Sequence, residues 1–189
     1  RAAMEQAAAL DILLSFHEEE PSLVPSPGVN YGSAAAQQFG VPGAMASAET
    51  AMIARDIALA LDTGARVLFQ HVSSAQSAAL IRAGKALGAK IYAEVTPHHL
   101  SLTEDDVLEH GTLARMNPPL RKEADRQALI DALADGTIDM IATDHAPHTA
   151  EEKAREFAKA PSGITGLETA FSVCNTYLVK TGRMTPMQL

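Results

Sequence analysis

The residues best suited to chemistry in this chain lie in the segment 142–148, Ala-Thr-Asp-His-Ala-Pro-His. The apolar run 138–141 before it predicts a buried parallel strand that ends close to Asp144. In α/β proteins, ligands and catalytic groups collect at the carboxyl ends of parallel strands. A carboxylate and two histidines at such a point indicate metal-assisted proton transfer. If these residues only ended the strand, His145 and His148 would be unexplained.

Two earlier predicted strands also end in a side chain that can bind a metal ion. The apolar segment 12–16 ends at His17, and the segment 66–70 ends at His71. In a barrel of parallel strands these ends lie on one face, so His17, His71 and Asp144 can converge on one ion. Imidazole and carboxylate ligands suit zinc. A single histidine is more often structural, but three strand ends with metal-binding side chains favour a metal site.

The elements that would position these residues alternate between strands and helices. The predicted strands are 12–16, 66–71, 90–96 and 138–143, and the predicted helices are 2–10, 33–39, 47–61 with Ser47 as its cap, 74–87, 123–134 and 165–180. This alternation indicates βαβ units and a parallel sheet. A closed (β/α)8 barrel has twice as many strands and typically about 250 residues. We therefore expect an α/β fold, a partial TIM-like barrel of roughly the last four β/α units. A flavodoxin-like sheet is the alternative, although no phosphate-binding loop of that kind occurs.

The composition argues against a nucleic-acid-binding protein and against a membrane-spanning one. A net charge of −8 argues against nucleic-acid binding. No apolar run approaches the roughly 20 residues of a membrane-spanning helix. The single cysteine, Cys174, cannot form an internal disulfide and fits a reducing cytosol. We expect a cytoplasmic protein with a small-molecule substrate and neither nucleic-acid nor membrane partners.

Both ends of the chain lie in helical patterns. Arg1 opens directly in an Ala-rich helical segment, and residues 185–189 are typical of a helix start. We therefore interpret residues 1–189 as a fragment of a longer barrel domain whose N-terminal half is absent. Half a barrel leaves two strand edges and an apolar face uncovered, which favours association, including dimerisation through the open sheet.

Several motifs along the chain resemble one known family. In chain order they are Phe-His-Glu-Glu at 16–19, His-Val-Ser-Ser at 71–74, Glu-Val-Thr-Pro-His-His-Leu at 94–100, Met-Asn-Pro-Pro-Leu-Arg at 116–121, the segment 142–148 with Glu-Glu-Lys at 151–153, Ala-Pro-Ser-Gly-Ile at 160–164 and Gly-Leu-Glu-Thr at 166–169. Together they resemble the amidohydrolase superfamily and, within it, the class I dihydroorotases of the bacterial multifunctional type. The resemblance covers essentially the whole chain and corresponds to the C-terminal half of the barrel.

The resemblance implies reversible hydrolysis of the cyclic amide of dihydroorotate, giving N-carbamoyl-aspartate, at a site with two zinc ions. It implies that His17 and His71 bind one ion. Asp144 would bind the other ion and act as the catalytic acid and base. The family's His-x-His-x-Arg motif and its bridging metal ligand do not occur in this sequence. We therefore expect half of the metal site to lie on chain outside it.

The resemblance also implies the residues that contact substrate. Asn117 and His148 match positions that bind it, and Ser162 and Gly163 match a backbone segment that lines its pocket. Ser162 replaces the bulkier residue that is typical of the family. A contact made through backbone atoms would tolerate that change.

Two alternatives and two kinds of partner remain open. A related cyclic amidohydrolase, such as a hydantoinase, dihydropyrimidinase or allantoinase, would share the metal scaffold, but Asn117 and His148 favour a dihydroorotase. A non-catalytic dihydroorotase-like scaffold would be expected to lose ligands, whereas His17, His71 and Asp144 are all present. The resemblance allows a homodimer and a partner of the aspartate carbamoyltransferase type. We expect the isolated chain to be inactive.

The remaining polar residues have plainer expected roles. Residues 18–20 are expected to form a solvated acidic loop, and His98 and His99 to make structural hydrogen bonds. His145 is expected to tether its own loop. Arg121 is expected to take part in a surface or structural ion pair.

Overall fold

The chain alternates between strands and helices, as the sequence predicts, and the computed structural model describes all 189 residues. The strands are β1 (Leu13–Phe16), β2 (Arg66–Phe69), β3 (Ile91–Val95) and β4 (Met140–Ile141). The helices are α1 (Ala2–Ala9), α2 (Ala34–Gln38), α3 (Ala46–Thr63), α4 (Ala75–Ala86), α5 (Pro97–Ser101), α6 (Asp106–His110), α7 (Glu123–Ala134), α8 (Ala150–Lys153) and α9 (Ala170–Cys174). Two 3₁₀ turns, Pro21–Leu23 and Gly111–Ala114, and a π-helical turn, Asn175–Val179, complete the structure.

The four strands form one parallel sheet whose spatial order, β1-β2-β3-β4, matches their order along the chain. Each crossover therefore advances by one strand in the same direction, which is the winding of a (β/α)8 barrel. A flavodoxin-like sheet needs a strand order that reverses direction, so that alternative is excluded. The prediction of a partial barrel with parallel strands is confirmed.

The hydrophobic core lies between the sheet and the helices that cover one of its faces. Alternate strand residues point into it, and Val67, Phe69, Ala93 and Val95 are fully buried. The helices contribute Ile53, Ile57, Ile81, Leu129, Ile130 and Leu133. Full burial of one such side chain contributes about 1.5–3 kcal/mol. The core therefore holds the central strands, and the residues at their carboxyl ends, on a rigid base.

The opposite face of the sheet is open to solvent. Leu13, Tyr92 and Met140 alternate along their strands with residues that point to the core, and they are 41%, 39% and 41% exposed. In a closed barrel this face is the packed interior. The apolar face that the sequence leads us to expect without cover is thus present in the structure.

A second apolar cluster supports the long loops. It consists of Val29, Ala35, Ala36, Val107, Ala114, Met116, Leu120 and Phe157. Phe39 packs against it and stacks on Phe157, with ring centroids 4.2 Å apart. Because Met116 and Leu120 flank Asn117 and are buried, the cluster fixes the loop that carries this predicted substrate-binding residue.

Three boundaries predicted from the sequence are wrong. Ser47 does not cap α3, because the helix begins at Ala46 and Met45 occupies the N-cap position. Strand β4 is two residues long rather than 138–143, because it pairs on one side only, with β3. The last helix begins at Ala170 instead of residue 165, and it continues as the π-helical turn.

Three short helices were not predicted, since five residues or fewer cannot display helical periodicity. Local caps nevertheless mark two of them. The Thr96 side chain accepts a hydrogen bond from the backbone N–H of His99 at the start of α5. Thr149 and Glu152 form a capping box at α8. None of the helices has both the length and the apolar character needed to span a bilayer.

Candidate metal and substrate site

Two of the predicted metal ligands, His17 and His71, contact each other. They follow β1 and β2, which are neighbours in the sheet with Phe16 opposite Phe69. His17 Nδ1 and His71 Nε2 are 2.9 Å apart, and the rings meet edge to face at an interplanar angle of 74°. The parallel register of two adjacent strands therefore brings together side chains that are far apart in the sequence.

The environment of His71 disfavours the protonated form of its ring. Burial lowers the pKa of His71, the neighbouring His17 lowers it further, and the Asp144 carboxylate acts in the opposite direction. His71 also has a φ angle of +34°, which is uncommon outside glycine. A neutral imidazole is the form that binds a metal ion. The structure thus presents His71 in the protonation state that a metal site requires.

Asp144 does not join the two histidines in a metal-binding cluster. It is exposed and has a φ angle of +48°. The negative charge of Asp144 raises the pKa of His71. No three histidine, cysteine, aspartate or glutamate side chains in the chain are nevertheless arranged to hold a metal ion. Asp144 follows β4, which lies two strands from β2 in an open sheet.

The donor atoms present fit part of a zinc site. Two zinc-bound nitrogens at bond lengths of about 2.1 Å lie about 3.4 Å apart in tetrahedral geometry. The facing nitrogens of His17 and His71 are 2.9 Å apart, so both are close enough to bind the same ion. Zinc usually takes at least three protein ligands. The pair therefore fits zinc in chemistry, would have to open from 2.9 Å to about 3.4 Å to bind it, and falls short of it in number.

Asn117 connects to the histidine pair through Glu19. Asn117 Nδ2 donates a hydrogen bond of 2.9 Å to Glu19 Oε2, and that oxygen lies 3.5 Å from His17 Nε2. Asn117 Oδ1 is buried and has no hydrogen-bond partner. It is consequently a free acceptor beside the histidines. Sequence reasoning missed Glu19, which belongs to the loop 18–20 that we expected to be solvated.

That expectation is wrong for Glu18. The Glu18 side chain is buried, at 7% exposure. Burial and the nearby Asp56 carboxylate raise the pKa of Glu18 to about 8. Its Oε1 atom is buried without a hydrogen-bond partner. The acidic run therefore has one buried member, and charge patterning alone gave no sign of it.

The other predicted substrate residues lie together on the loop side of Asp144. His148 Nε2 donates to the backbone oxygen of Ser162, 3.0 Å away. Gly163 has a φ angle of +135°, and a Cβ atom there would lie 2.7 Å from the Ala146 Cβ. Only glycine allows this close approach of the two loops. The Ser162 hydroxyl accepts a hydrogen bond of 2.7 Å from Arg115, so this side chain is used within the protein.

His145 ties the Asp144 loop to the segment that precedes α9. Its Nδ1 atom accepts hydrogen bonds from the backbone N–H groups of Gly166, at 3.0 Å, and Leu167, at 3.2 Å. This is the tethering contact that the sequence leads us to expect of His145. It leaves the Asp144 side chain itself without a supporting contact from His145.

His99 has the structural role expected of it. It is buried at 3% exposure, and its Nε2 atom hydrogen-bonds the backbone oxygen of Pro118 at 3.2 Å. Its Nδ1 atom contacts Thr96 Oγ1 at 2.8 Å. Burial holds the pKa of His99 well below its usual value. His99 therefore supports the loop of Asn117, whose bond to Pro118 is cis.

Comparison with known proteins places the chain beside dihydroorotases. It is 57% identical over 187 residues to a dihydroorotase of Clostridioides difficile and 54% identical over 183 residues to one of Clostridium acetobutylicum. These matches cover 99% and 97% of the chain, but only 44% and 43% of the relatives. No protein-family model matches. The resemblance found in the sequence is therefore confirmed over nearly the whole chain, which spans less than half the length of those relatives.

Solved structures support the fold. The chain superposes on an L-hydantoinase (dihydropyrimidinase) from Arthrobacter aurescens with a TM-score of 0.86 at 25% identity, covering 98% of this chain and 42% of that one. It superposes on a D-hydantoinase from a Thermus species with a TM-score of 0.83 at 26% identity, covering 99% and 43%. The four-stranded sheet is therefore the equivalent of part of an amidohydrolase barrel.

Proposed function

We propose that residues 1–189 are the C-terminal half of the metal-dependent barrel domain of a dihydroorotase. The whole protein would catalyse the reversible hydrolysis of (S)-dihydroorotate to N-carbamoyl-L-aspartate in pyrimidine biosynthesis. The observation that supports this most directly is the contact of His17 with His71, in a chain that is 57% identical to a dihydroorotase. The roles of the individual residues are part of the same proposal.

The chemical problem is the opening of a stable cyclic amide. Zinc, when bound, would lower the pKa of water and polarise the amide carbonyl. His17 and His71 would hold one ion through neutral ring nitrogens. Asp144 would accept the proton of the attacking water as the new C–O bond forms, and would deliver it to the ring nitrogen as the C–N bond breaks. In the synthetic direction Asp144 would relay the proton the opposite way.

Substrate positioning would come from both sides of the site. The buried Asn117 Oδ1 atom has no partner in the protein, so it is available to accept a hydrogen bond from a ring N–H of the substrate. His148 and the backbone of Ser162 and Gly163 would line the opposite side. Holding a ring in one orientation between such groups contributes to catalysis by reducing the entropy lost in reaching the transition state.

A hydantoinase or dihydropyrimidinase is the second candidate. The similarity to solved hydantoinases, with TM-scores of 0.83 and 0.86, favours it. Sequence identity to those proteins is 25–26%, against 54–57% to the two dihydroorotases. The higher identity supports dihydroorotate as the substrate over hydantoin or dihydrouracil.

A substrate panel separates these candidates. The full-length, zinc-loaded protein would be assayed by ultraviolet absorbance with dihydroorotate, hydantoin and dihydrouracil in parallel. We expect selective turnover of dihydroorotate. Preferential turnover of another ring would assign the protein to a sister activity, and no turnover of any ring would favour a non-catalytic scaffold. The 189-residue chain, assayed alongside, is expected to be inactive because Asp144 does not join the two histidines in a metal-binding cluster.

A further inference from the structure

A buried carboxylate, Glu49 of α3, lies beside the turn that follows His71. Glu49 is 4% exposed. Its Oε2 atom accepts hydrogen bonds from the backbone N–H of Ser73 at 3.0 Å and from the Ser73 hydroxyl at 2.6 Å. Its Oε1 atom accepts from the N–H of Ser74 at 3.2 Å and from the Ser74 hydroxyl at 3.3 Å. Four donors therefore replace the water that a buried carboxylate loses.

The turn held by Glu49 joins β2 to α4. Ser74 is the N-cap of α4, and its hydroxyl accepts a hydrogen bond from the backbone N–H of Ser77 at 3.2 Å. The carboxylate thus lies at the positive end of a 12-residue helix, where negative charge is stabilised. The same turn contains His71 in its uncommon left-handed conformation. Glu49 is therefore placed to fix the backbone from which the His71 ring is directed at His17.

Arg121 completes the contact from the opposite side of Ser73. It is 4% exposed, and its Nε atom donates to Ser73 Oγ at 3.2 Å. Its Nη1 atom donates to Asn30 Oδ1 at 2.6 Å and to the backbone oxygen of Ala44 at 2.8 Å. Burial lowers the pKa of Arg121, and the nearby Glu49 carboxylate raises it. The expected ion pair of Arg121 is therefore wrong: its side chain makes no direct contact with a carboxylate, and it is linked to Glu49 only through the Ser73 hydroxyl.

These contacts link the loops that carry the predicted site residues. Asn30 lies in the loop after β1, which begins at His17, and Arg121 lies in the loop of Asn117. One small cavity is lined by His17, Asn117, Glu49 and Arg121 together. The network therefore borders the cavity onto which the predicted site residues His17 and Asn117 open. Its members support three separate loops at the point where those loops meet.

We propose that Glu49 and Arg121 are positioning residues for the site. Acting through Ser73, they set the direction of the His71 ring and hold the Asn117 loop against it. This inference rests on the proposed function for its catalytic consequence, but its structural consequence concerns the metal-binding geometry alone. In the motifs His-Val-Ser-Ser at 71–74 and Met-Asn-Pro-Pro-Leu-Arg at 116–121, it gives Ser73 and Arg121 a positioning role in addition to the proposed roles of His71 and Asn117.

The test compares Glu49→Gln with Asp125→Asn in the full-length protein. Asp125 Oδ1 accepts a hydrogen bond of 2.9 Å from the backbone N–H of Ala75, the residue after Ser74, so the control also removes a carboxylate from the start of α4. Removing a group that orients a metal ligand typically costs about 10–100-fold in metal affinity. We expect Glu49→Gln to weaken zinc binding by about tenfold or more. Asp125→Asn should change it by less than about threefold, since Ala75 lies outside the His71 turn.

Hydrogen exchange gives a second readout that needs neither zinc nor substrate. We expect the amides of Ser73 and Ser74 to exchange faster in Glu49→Gln, while the amides of β3 keep their protection. Glu49→Asp retains the charge, so it should restore part of the zinc affinity. Equal zinc affinity in wild type and Glu49→Gln would overturn the proposal, as would equal losses in Glu49→Gln and Asp125→Asn.

Arg121 is tested by a double-mutant cycle with Glu49→Gln. If both residues act through Ser73, the losses of zinc affinity in Arg121→Gln and Glu49→Gln will not add. Additive losses would overturn the shared role. Should Glu49→Gln fail to fold, Ser73→Ala provides the same comparison, because it removes the hydroxyl that both residues contact.

The outcomes also separate this inference from the proposed function. Weaker zinc binding in Glu49→Gln, in a protein that does not open dihydroorotate, would support the positioning role and reject the dihydroorotase activity. Unchanged zinc binding in Glu49→Gln, in a protein that opens dihydroorotate at the wild-type rate, would reject the positioning role and support the dihydroorotase activity.

Discussion

The turn after β2 and the turn after β4 place His71 and Asp144 in similar backbone conformations, with φ angles of +34° and +48°. Their surroundings differ. His71 is 8% exposed and its turn is held by the Glu49 carboxylate. Asp144 is exposed, and its loop is held by His145 and by the close approach at Gly163. The two turns therefore share a conformation but not a means of support.

The difference follows from the position of each strand in the sheet. Strand β2 has neighbours on both sides, and helices α3 and α4 cover it. Strand β4 is an edge strand of two residues. The buried turn of His71 can hold the ring in one direction through contacts within the chain. The exposed turn of Asp144 needs further contacts from a surface that packs against it.

The largest expected effect is that of Asp144→Asn in the full-length protein. Loss of a general acid and base lowers the rate by about 10²–10⁴-fold. The free energy of unfolding should change by less than about 0.5 kcal/mol, because the side chain is exposed. Steady-state kinetics and denaturant unfolding measure both quantities. Glu151→Gln, an exposed carboxylate on α8, is the matched control and should keep the wild-type rate. Near-normal turnover by Asp144→Asn would refute its catalytic role.

The second prediction compares a central strand with the edge strand. Phe69→Ala removes a fully buried ring from β2 and should lower the free energy of unfolding by about 3–5 kcal/mol. Met140→Ala on β4, where the side chain is 41% exposed, should lower it by less than about 0.5 kcal/mol. Urea denaturation of the 189-residue chain measures both losses. Similar losses would mean that the open face of the sheet is covered in solution.

The third prediction concerns pH. Burial lowers the pKa of His98 to about 4, below its usual value of 6.5. Between these pH values His98 binds the proton in the unfolded chain and not in the folded chain, so the contribution of His98 to stability falls as the pH falls from about 6.5 to about 4. Glu18, with its pKa raised to about 8, acts in the opposite direction, because the folded chain holds that proton where the unfolded chain releases it. At 1.36 kcal/mol per pKa unit, the loss from His98 is up to about 3 kcal/mol. The buried His99 contributes in the same direction as His98.

Thermal unfolding from pH 7 to pH 4.5 checks the contribution of His98. His98→Gln should lose less stability than wild type over this pH range, because the substituted side chain does not titrate. An equal loss in His98→Gln and wild type would show that the buried histidine is not its source.

The smallest effect is expected for Gly163→Ala. The new methyl group would meet Ala146 at 2.7 Å, with φ at +135°, and such backbone strain costs about 1–3 kcal/mol. Gly88→Ala is the control, since Gly88 also has a positive φ but nothing within 4 Å of an added Cβ. The difference in unfolding free energy between the two variants reports the steric clash at Gly163 together with its more strained φ angle. If Gly163→Ala is no less stable than Gly88→Ala, the two loops do not pack as described.

Sequence reasoning succeeded where a feature follows from strand order. The contact of His17 with His71 could be predicted because both follow parallel strands and the register of neighbours fixes their approach. That Asp144 does not join them in a metal-binding cluster could not, since this depends on what covers the open face.

Contacts made by helix side chains were harder to predict from the sequence. Glu49 lies within a helix that looks like an ordinary amphipathic segment, and only the folded structure places it beside Ser73. The burial of Glu18 was hidden for a similar reason, because an acidic run is usually a solvated surface. In both cases the signal is a tertiary contact that no local pattern encodes.

The most direct test is a crystal structure of the full-length protein with zinc, with metal positions taken from anomalous diffraction. The expected result is a zinc ion bound by the ring nitrogens of His17 and His71, with Asp144 bound to a second ion beside it. Zinc bound elsewhere, or His17 and His71 still in hydrogen-bond contact with each other in the presence of saturating zinc, would contradict the proposed metal site.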